Sequence, residues 1–402
     1  MKIPGSVALI FVLLALLTHA TAQDTSPNLS LLFSFLCDAS GVCADGYFPM
    51  SLIESVDGNF YGAAAGGGTG MNAQGTIFKI TPAGELSVIY SFAENPDGSL
   101  PNGSAPGSLV EGIDGFLYGT TSENGANGFG TVFKLSKSGK IQVLHNFCGT
   151  ETCSDGANPG FFMQAIDGNF YGGTGPTLPP TSVLYRMTPT GAFKVLHTFD
   201  TKSQPDGAGI FGMVQAADGN LYGTTVAGEQ FQPFNSVFRF APATGDYTVL
   251  HGFNTPNINL ADVATSDLAL TSTGELFGLQ AGSKLYEISL AGKFKELSIL
   301  STTNFFDGNI LEASDGNLWG DFDGGDCGGQ GIAFAATTSG SELQNLTFEC
   351  NTVGEQPGAM IQAANGKFYG VTVGNGGAST DSITNGTTWT IDAGLPAPYQ
   401  EW

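Results

Sequence analysis

Histidine is the side chain that most often performs acid–base chemistry near neutral pH, and this sequence contains four. His19 lies in an N-terminal leader. His145, His197 and His251 recur in one phrase, VLHNF, VLHTF and VLHGF, and Tyr90 takes the same place in an earlier copy. Residues repeated in phase lie on separate structural units, so these histidines should not converge. The sequence therefore predicts neither a Ser-His-Asp triad nor a His-metal site, and no catalytic residue is assigned.

A second group that could perform chemistry is a row of acidic residues in corresponding segments. The row consists of Asp45, Asp97, Asp155 and Asp206, each followed by Gly, and is continued by Asp307, Asp262 and Glu355. A collar of such carboxylates could hold Ca²⁺, which prefers oxygen ligands. Alternatively, each carboxylate accepts hydrogen bonds from the backbone of its own turn. We favour the second interpretation, so no cofactor is predicted and Ca²⁺ is the alternative.

Six cysteines follow the leader, and their spacing predicts disulfides. We expect the bridges Cys37–Cys43, Cys148–Cys153 and Cys327–Cys350, of which the third joins two loops on the same face of one unit. Zinc is the competing interpretation of closely spaced cysteines. It is disfavoured because the pairs are far apart in the repeat and have no nearby histidine.

The elements that position these residues are set by a six-residue phrase that occurs seven times. Its copies begin at Asp57, Asp114, Asp167, Asp218, Thr273, Asp315 and Asn365, and its fullest form is DGNFYG. Asp-Gly is a strong signal for a two-residue hairpin turn. Short apolar runs on either side make each copy a four-stranded antiparallel unit, with strands A, B, C and D. A period near fifty residues is typical of a β-propeller.

The two ends of the chain predict how the ring closes. Leu29–Phe35 (LSLLFSF) resembles the D strand LSVIYSF of the first unit. The last unit has an A strand near Gly358–Ala364, a B strand at Lys367–Thr372 and a C strand near Thr388–Asp392, followed by a tail with prolines. We therefore expect an all-β, seven-bladed β-propeller of four-stranded antiparallel blades, closed by the N-terminal strand joining the last blade. An open solenoid with capping repeats is the alternative.

The first 22 residues have the features of a signal peptide. Lys2 supplies a positive charge, Val7–Leu17 an apolar core and Ala20–Ala22 a small-residue cleavage pattern. Residues 23–402 are then expected to form one domain with no membrane span. The expected location is secreted, periplasmic or at the cell surface.

The chain is strongly acidic, with a formal charge of −23 that becomes −24 without Lys2. This argues against nucleic-acid binding, which needs clustered Lys and Arg. The basic residues Lys79, Lys134, Arg186 and Arg239 share one register of strand C. We interpret them as partners of nearby carboxylates, and a ring of cations on one face is the alternative.

The loops between strands B and C differ most between copies, and variable loops on a rigid ring are suited to recognition. Phe231 and Phe234 are aromatic residues in one of these loops. They could contact a ligand or fold back over the blade.

Two segments carry a family resemblance: DGNFYGAAAGGGTGMNAQGTIFKITPAGELSVIYSF (57–92) and DGFLYGTTSENGANGFGTVFKLSKSGKIQVLHNF (114–147). Both resemble the GloVer tandem repeat of exported bacterial proteins of the choice-of-anchor type. The likeness covers residues 29–394 and is strongest in the first four units. It implies a β-propeller-like, exported protein. Members often carry a surface anchor, but no hydrophobic anchor or basic tail is visible here, which favours a secreted or periplasmic product.

A weaker resemblance links the DGN-aromatic phrases to the streptogramin-lyase propeller. That resemblance implies a metal and a His/Glu site, which the separated histidines do not support.

The sequence thus predicts an exported, non-catalytic and monomeric binding or interaction module. Its expected partner is a polysaccharide or another envelope or extracellular protein. The alternative is a carbohydrate-active hydrolase or lyase with its site at the channel mouth. Converging carboxylates there would support the enzyme, because paired acids perform glycoside hydrolysis. Apolar strand A side chains plugging the channel would support the binding module.

Overall fold

The structure is a computed structural model that describes residues 26–175, 182–199, 206–225, 234–254, 266–280, 284–300, 308–322, 331–348, 353–374 and 385–398. Within these ranges the chain forms strands and turns. They contain no helix long and apolar enough to cross a membrane. Two predicted features, Cys327–Cys350 and Phe231, lie outside the described residues, as do the leader, Asp262 and Asp307.

Seven four-stranded antiparallel sheets form the blades of a β-propeller, which confirms the predicted fold. Strand β1 (Asn28–Ser34) belongs to the last blade. Blade 1 is β2 (Tyr47–Glu54), β3 (Phe60–Gly66), β4 (Thr76–Ile80) and β5 (Leu86–Ser91). Blade 2 is β6 (Ser104–Glu111), β7 (Leu117–Glu123), β8 (Thr131–Leu135) and β9 (Ile141–Asn146). Blade 3 is β10 (Pro159–Gln164), β11 (Phe170–Thr174), β12 (Val183–Met187) and β13 (Phe193–Thr198). Blade 4 is β14 (Ile210–Gln215), β15 (Leu221–Thr225), β16 (Phe234–Ala241) and β17 (Asp246–Asn254).

The last three blades have the same order of strands. Blade 5 is β18 (Ala269–Leu270), β19 (Leu276–Gln280), β20 (Lys284–Ile288) and β21 (Phe294–Ile299). Blade 6 is β22 (Ile310–Glu312), β23 (Leu318–Phe322), β24 (Ile332–Ala336) and β25 (Glu342–Thr347). Blade 7 is β26 (Glu355–Gln362), β27 (Phe368–Gly374) and β28 (Thr387–Asp392), completed by β1. Strand β1 pairs antiparallel with β28, with Leu29 opposite Ile391, so the predicted closure is confirmed.

The repeated phrase builds the hairpin between strands A and B. In blade 1, Asp57 Oδ1 accepts a hydrogen bond from Asn59 N at 3.0 Å, and Tyr61 donates its hydroxyl to Asp57 Oδ2 at 2.8 Å. The same Asp–Tyr bond occurs at Asp114–Tyr118, Asp167–Tyr171 and Asp218–Tyr222. Gly58 has a φ of 74°, which a residue without a Cβ adopts at little cost. The Asp and Tyr of the phrase are therefore structural.

The last glycine of the phrase makes room for an aromatic ring from strand C. A Cβ on Gly119 would lie 2.6 Å from Phe133 Cζ and 2.7 Å from the Ser108 carbonyl oxygen. Such rings enter apolar clusters between neighbouring blades. In the cluster between blades 1 and 2, Tyr61 and Phe92 pack with Leu109 and Phe133. The core of this propeller therefore lies between its blades.

A side-chain hydrogen bond joins consecutive blades at six junctions. The Glu or Gln that ends strand A accepts the N–H of the residue before the repeated phrase in the preceding blade. The pairs are Val56 N–Glu111 Oε2 (3.1 Å), Ile113 N–Gln164 Oε1 (2.9 Å), Ile166 N–Gln215 Oε1 (2.7 Å), Ser272 N–Glu312 Oε2 (2.6 Å), Ser314 N–Gln362 Oε1 (2.8 Å) and Ala364 N–Glu54 Oε2 (2.7 Å). The last pair joins blade 7 to blade 1. At the junction of blades 4 and 5 the acceptor position is Leu270, whose side chain cannot accept a hydrogen bond.

The antiparallel blades give the ring two different faces. The A–B and C–D hairpins emerge on one, which we call the turn face. The B–C and D–A connections emerge on the other, the loop face. Strands A of neighbouring blades contact one another, as expected for the innermost strands around a channel.

Candidate functional site

The histidine row and the acidic row, treated separately in the sequence, meet on the loop face. His145 Nε2 lies 3.0 Å from Asp155 Oδ2, and His197 Nε2 lies 2.9 Å from Asp206 Oδ2. In blade 1 the corresponding Tyr90 hydroxyl accepts a hydrogen bond from Asn102 at 2.7 Å. Sequence reasoning missed these pairs, although the near-constant spacing of nine or ten residues between His and Asp was a usable signal.

Each histidine ring also stacks on an aromatic residue of the next blade. The ring centroids are 4.0 Å apart for His145–Phe193, 3.9 Å for His197–Tyr247 and 3.9 Å for His251–Phe294. Burial lowers the pKa of His145, and Asp155 opposes that change. The three histidines lie on separate blades, where they hold neighbouring outer strands together.

The described carboxylates of the proposed collar bind locally. Asp97 Oδ1 accepts hydrogen bonds from Ser99 N and Ser99 Oγ, and these bonds lower the pKa of Asp97. Asp155 Oδ1 accepts the backbone N–H of Cys148 at 3.1 Å. Within the described ranges, no three His, Cys, Asp or Glu side chains are arranged to hold a metal ion. The Ca²⁺ alternative stays a prediction, since Asp262, Asp307 and the Glu355 side chain are not described.

Two predicted disulfides are confirmed: Cys37–Cys43 and Cys148–Cys153. Both lie in D–A connections on the loop face. Disulfides are characteristic of proteins that fold outside the reducing cytosol.

Lys134, one of the four basic residues of strand C, contacts a turn carboxylate as predicted. Lys134 Nζ lies 2.7 Å from Asp114 Oδ2. Burial acts to raise the pKa of Asp167 and Asp218, but hydrogen bonds from the Asn and Tyr of the phrase lower it. The charges of Arg186 and Arg239 add a smaller lowering.

The channel wall is regular in four blades. A residue with positive φ precedes a proline at the start of strand A: Phe48 (54°), Ala105 (50°), Asn158 (51°) and Gln356 (55°). The proline packs against a glycine of the preceding blade; a Cβ on Gly130, for example, would lie 2.7 Å from Pro159 Cδ. This backbone geometry is strained and repeated, so it is part of the architecture.

Blades 5 and 6 depart from that regular wall. Their A strands, β18 and β22, contain two and three residues. Asp267 occupies the position held by Ser51, Ser108 and Phe161 in the first three blades. A Cβ on Gly212 of blade 4 would collide with Asp267 Cβ, so the glycine makes room for the acidic residue.

Asp267 is a carboxyl with a strongly raised pKa. Burial raises its pKa to about 7, opposed by a hydrogen bond from the Ile310 backbone. The residue as a whole is half-buried, but its Oδ1 is shielded from solvent and bonds to none of the described residues. The buried Tyr286 hydroxyl also lacks a partner, and burial together with the charge of Asp267 raises the pKa of Tyr286. Tyr286 itself is fully buried in the apolar cluster between blades 4 and 5.

A second buried carboxyl lies on the other side of strand β22. Asp321 Oδ1 accepts hydrogen bonds from the backbone and side-chain nitrogens of Asn309, each at 3.2 Å. Asn309 Nδ2 also donates to the Gly358 carbonyl oxygen at 2.5 Å. Sequence reasoning did not identify Asp267 or Asp321. The position of Asp267 within the apolar run SDLAL was a usable signal.

One solved structure has a similar fold. The extracellular domain of a hybrid two-component system from B. thetaiotaomicron is similar over 94% of this chain, with a TM-score of 0.56 and 12% identity. The chain spans 44% of the length of that structure. A luciferin-regenerating enzyme matches 74% of this chain and 94% of its own, with 13% identity and a TM-score of 0.47. At these identities the likeness to the first structure concerns the fold alone. No curated protein sequence matches the chain significantly.

The repeat pattern of one protein family matches residues 24–176 and 105–306, which together cover more than half of the chain. These ranges contain the first five copies of the phrase and blades 1 to 5. The chain belongs to the Gloeobacter/Verrucomicrobia repeat family.

Proposed function

We infer that this protein is an exported, non-catalytic binding module that holds a hydroxyl-rich ligand, such as a polysaccharide segment, at the channel wall of blades 4 to 6. The observation that carries this proposal is Asp267, a half-buried acidic residue just before the short strand A of blade 5, whose Oδ1 bonds to no described residue. An unsatisfied buried polar group is costly, so a ligand that supplies the missing hydrogen bond would gain affinity there.

The chemistry of the wall favours a neutral polar ligand. Asp267 can donate or accept a hydrogen bond according to its protonation. Sugar hydroxyls both donate and accept hydrogen bonds, and so they fit this carboxyl. Anionic ligands are disfavoured by the formal charge of −23.

Export is supported by the two disulfides and by the extracellular location named for the similar structure. The regular blades form a rigid ring. Blades 5 and 6 differ from the repeat, and a specific site can lie where they differ.

The test is a panel of neutral and charged polysaccharides, screened by binding and then measured by calorimetry. We expect at least one neutral glycan to bind and Asp267→Asn to weaken it by about tenfold. Asp97→Asn, on an exposed turn, is the matched control and should leave affinity unchanged. Binding by the Asp267→Asn variant with unchanged affinity would contradict the assigned site, and no binding by any glycan would contradict the ligand class.

One observation favours a carbohydrate-active hydrolase or lyase as the second candidate. A carboxyl with a pKa near 7 has the acidity expected of a general acid, and Asp321 provides a second buried carboxyl nearby. Release of reducing ends or unsaturated products in the same panel, lost in Asp267→Asn, would establish the enzyme. Binding without product would support the binding module.

A further inference from the structure

Three aliphatic side chains on the turn face are almost entirely exposed. Val56, Ile113 and Ile166 are 89%, 87% and 91% exposed, and they occupy the same position in blades 1, 2 and 3. A Cβ on Gly168 would lie 3.9 Å from Ile113 Cδ1, so the Ile113 side chain extends towards the blade 3 turn. These residues form one apolar arc along consecutive turns.

The fold does not require aliphatic residues at these positions. The structural contribution of each is its backbone N–H, which binds the Glu or Gln of the next blade. Ser272, Ser314 and Ala364 make the same backbone bond in other blades with small side chains. Exposed aliphatic groups at equivalent positions of three adjacent blades are therefore a mark of an interaction surface.

The charges around the arc are balanced. On the turn face of blades 1 to 3 there are six basic residues, namely Lys79, Lys134, Lys137, Lys140, Arg186 and Lys194. The same sector has six acidic residues, namely Glu54, Asp57, Glu85, Glu111, Asp114 and Asp167. Several are ion-paired; Lys137 Nζ, for example, lies 2.5 Å from Glu111 Oε1. An apolar centre with a paired, neutral rim has the composition of a protein interface.

The loop face of the same three blades is different. It carries seven acidic residues, Asp38, Asp45, Glu94, Asp97, Glu123, Glu151 and Asp155, and the sequence places no Lys or Arg among them. Two copies of a chain with a charge of −23 repel each other less where this sector of the turn face meets its equivalent than where two such loop faces meet. The acidic excess is at the blade 1 end of the arc, and the basic excess lies in blades 2 and 3. A two-fold axis at Ile113 would therefore set blade 1 of one copy against blade 3 of the other, with opposite charges facing.

We propose that the turn face of blades 1 to 3 is a homodimer surface centred on Val56, Ile113 and Ile166. In the dimer Ile113 packs near its own equivalent, and Val56 packs near Ile166 of the second copy. Glu85 at the blade 1 end faces Lys194 at the blade 3 end. This surface is separate from the channel wall and independent of the ligand proposal, and it differs from the monomer expected from sequence.

Sedimentation velocity of the purified protein over a concentration series tests the proposal. The wild type should show a reversible monomer–dimer equilibrium. The Val56→Ser, Ile113→Ser and Ile166→Ser triple variant should raise the dissociation constant by at least about tenfold while keeping the thermal midpoint, since serine occupies this turn in blades 5 and 6. Met71→Ser, on the loop face at 49% exposure, is the control and should dimerise like the wild type.

A charge exchange tests the orientation. Lys194→Glu should weaken the dimer, and adding Glu85→Lys should restore it. A wild type that stays monomeric up to its highest soluble concentration overturns the proposal. A triple variant that dimerises like the wild type would also overturn the proposal. Binding of the monomer to phosphatidylcholine vesicles through the arc would assign the surface to lipid instead and would also overturn it.

Discussion

In blades 1 to 3, a strained residue followed by a proline lies at the start of strand A. Strand A ends with a Glu or Gln that accepts a hydrogen bond from the A–B turn of the preceding blade. In blades 5 and 6, strand A shrinks to two or three residues, and Asp267 and Asp321 lie close to these short strands. Both regions contain the same repeated phrase and have the same strand order. The difference indicates that the regular blades supply the stability of the ring and that blades 5 and 6 can give up some of it. A propeller tolerates such loss locally because each blade contacts only its neighbours.

The largest effect expected from this comparison is a pH dependence caused by Asp267. Its pKa is raised from 3.8 to about 7 in the folded protein, so the folded state holds a proton that the unfolded state has already lost between these values. Stability should therefore fall as pH rises from about 4 to 7, by up to about 4 kcal/mol. Asp267→Asn should abolish this fall and be the more stable protein at pH 8. Urea unfolding at pH 4, 6 and 8 measures it.

The control for that prediction is Asp97→Asn, because the Ser99 hydrogen bonds lower the pKa of Asp97. Its effect should have the opposite sign, with stability lost as pH falls through the folded pKa. If the Asp267→Asn protein keeps the wild-type dependence of stability on pH, then Asp267 is not the cause of that dependence.

A second, smaller effect should show whether the glycines of the regular blades are needed for close packing or for backbone flexibility. Gly119→Ala places a methyl group against the Phe133 ring and the Ser108 carbonyl, and it should cost roughly 2 to 3 kcal/mol. Gly107→Ala, in the neighbouring strand, meets no atom within 4 Å and should be neutral or slightly stabilising. Thermal unfolding of the two variants measures the contrast. Equal losses would show that backbone flexibility, not packing, explains these glycines.

The smallest effect concerns the bonds between blades. Gln215→Leu copies the blade 4–5 junction, where Leu270 stands, into the junction of blades 3 and 4. It leaves the Ile166 N–H without its acceptor and should cost about 1 kcal/mol. Gln142→Leu, on an exposed part of β9, is the matched control and should change the unfolding midpoint little. No difference between the two would mean that the apolar clusters alone hold the blades together.

Sequence predicted the architecture closely, because every blade repeats the same local signals. The Asp-Gly turn, the apolar strands and the match between Leu29–Phe35 and a D strand fixed the number of blades and the swapped closure. The bridges Cys37–Cys43 and Cys148–Cys153 were also predictable, since each closes a short loop. The candidate site was not predicted. Asp267 is one acid among many in the sequence, and its distinction is burial without a partner.

The sequence by itself determined the turns, the strand order and the closure of the ring, because these depend on residues close together in the chain and on a repeat. Only the tertiary structure decided which residues from different blades meet. It joined His145 to Asp155, bound Ala364 to Glu54 across the closure and placed Asp267 opposite Gly212. The same packing left Ile113 in solvent and buried Leu109 and Leu117. Burial and charge balance arise from the packing of distant segments, and so they become visible only when the ring is complete.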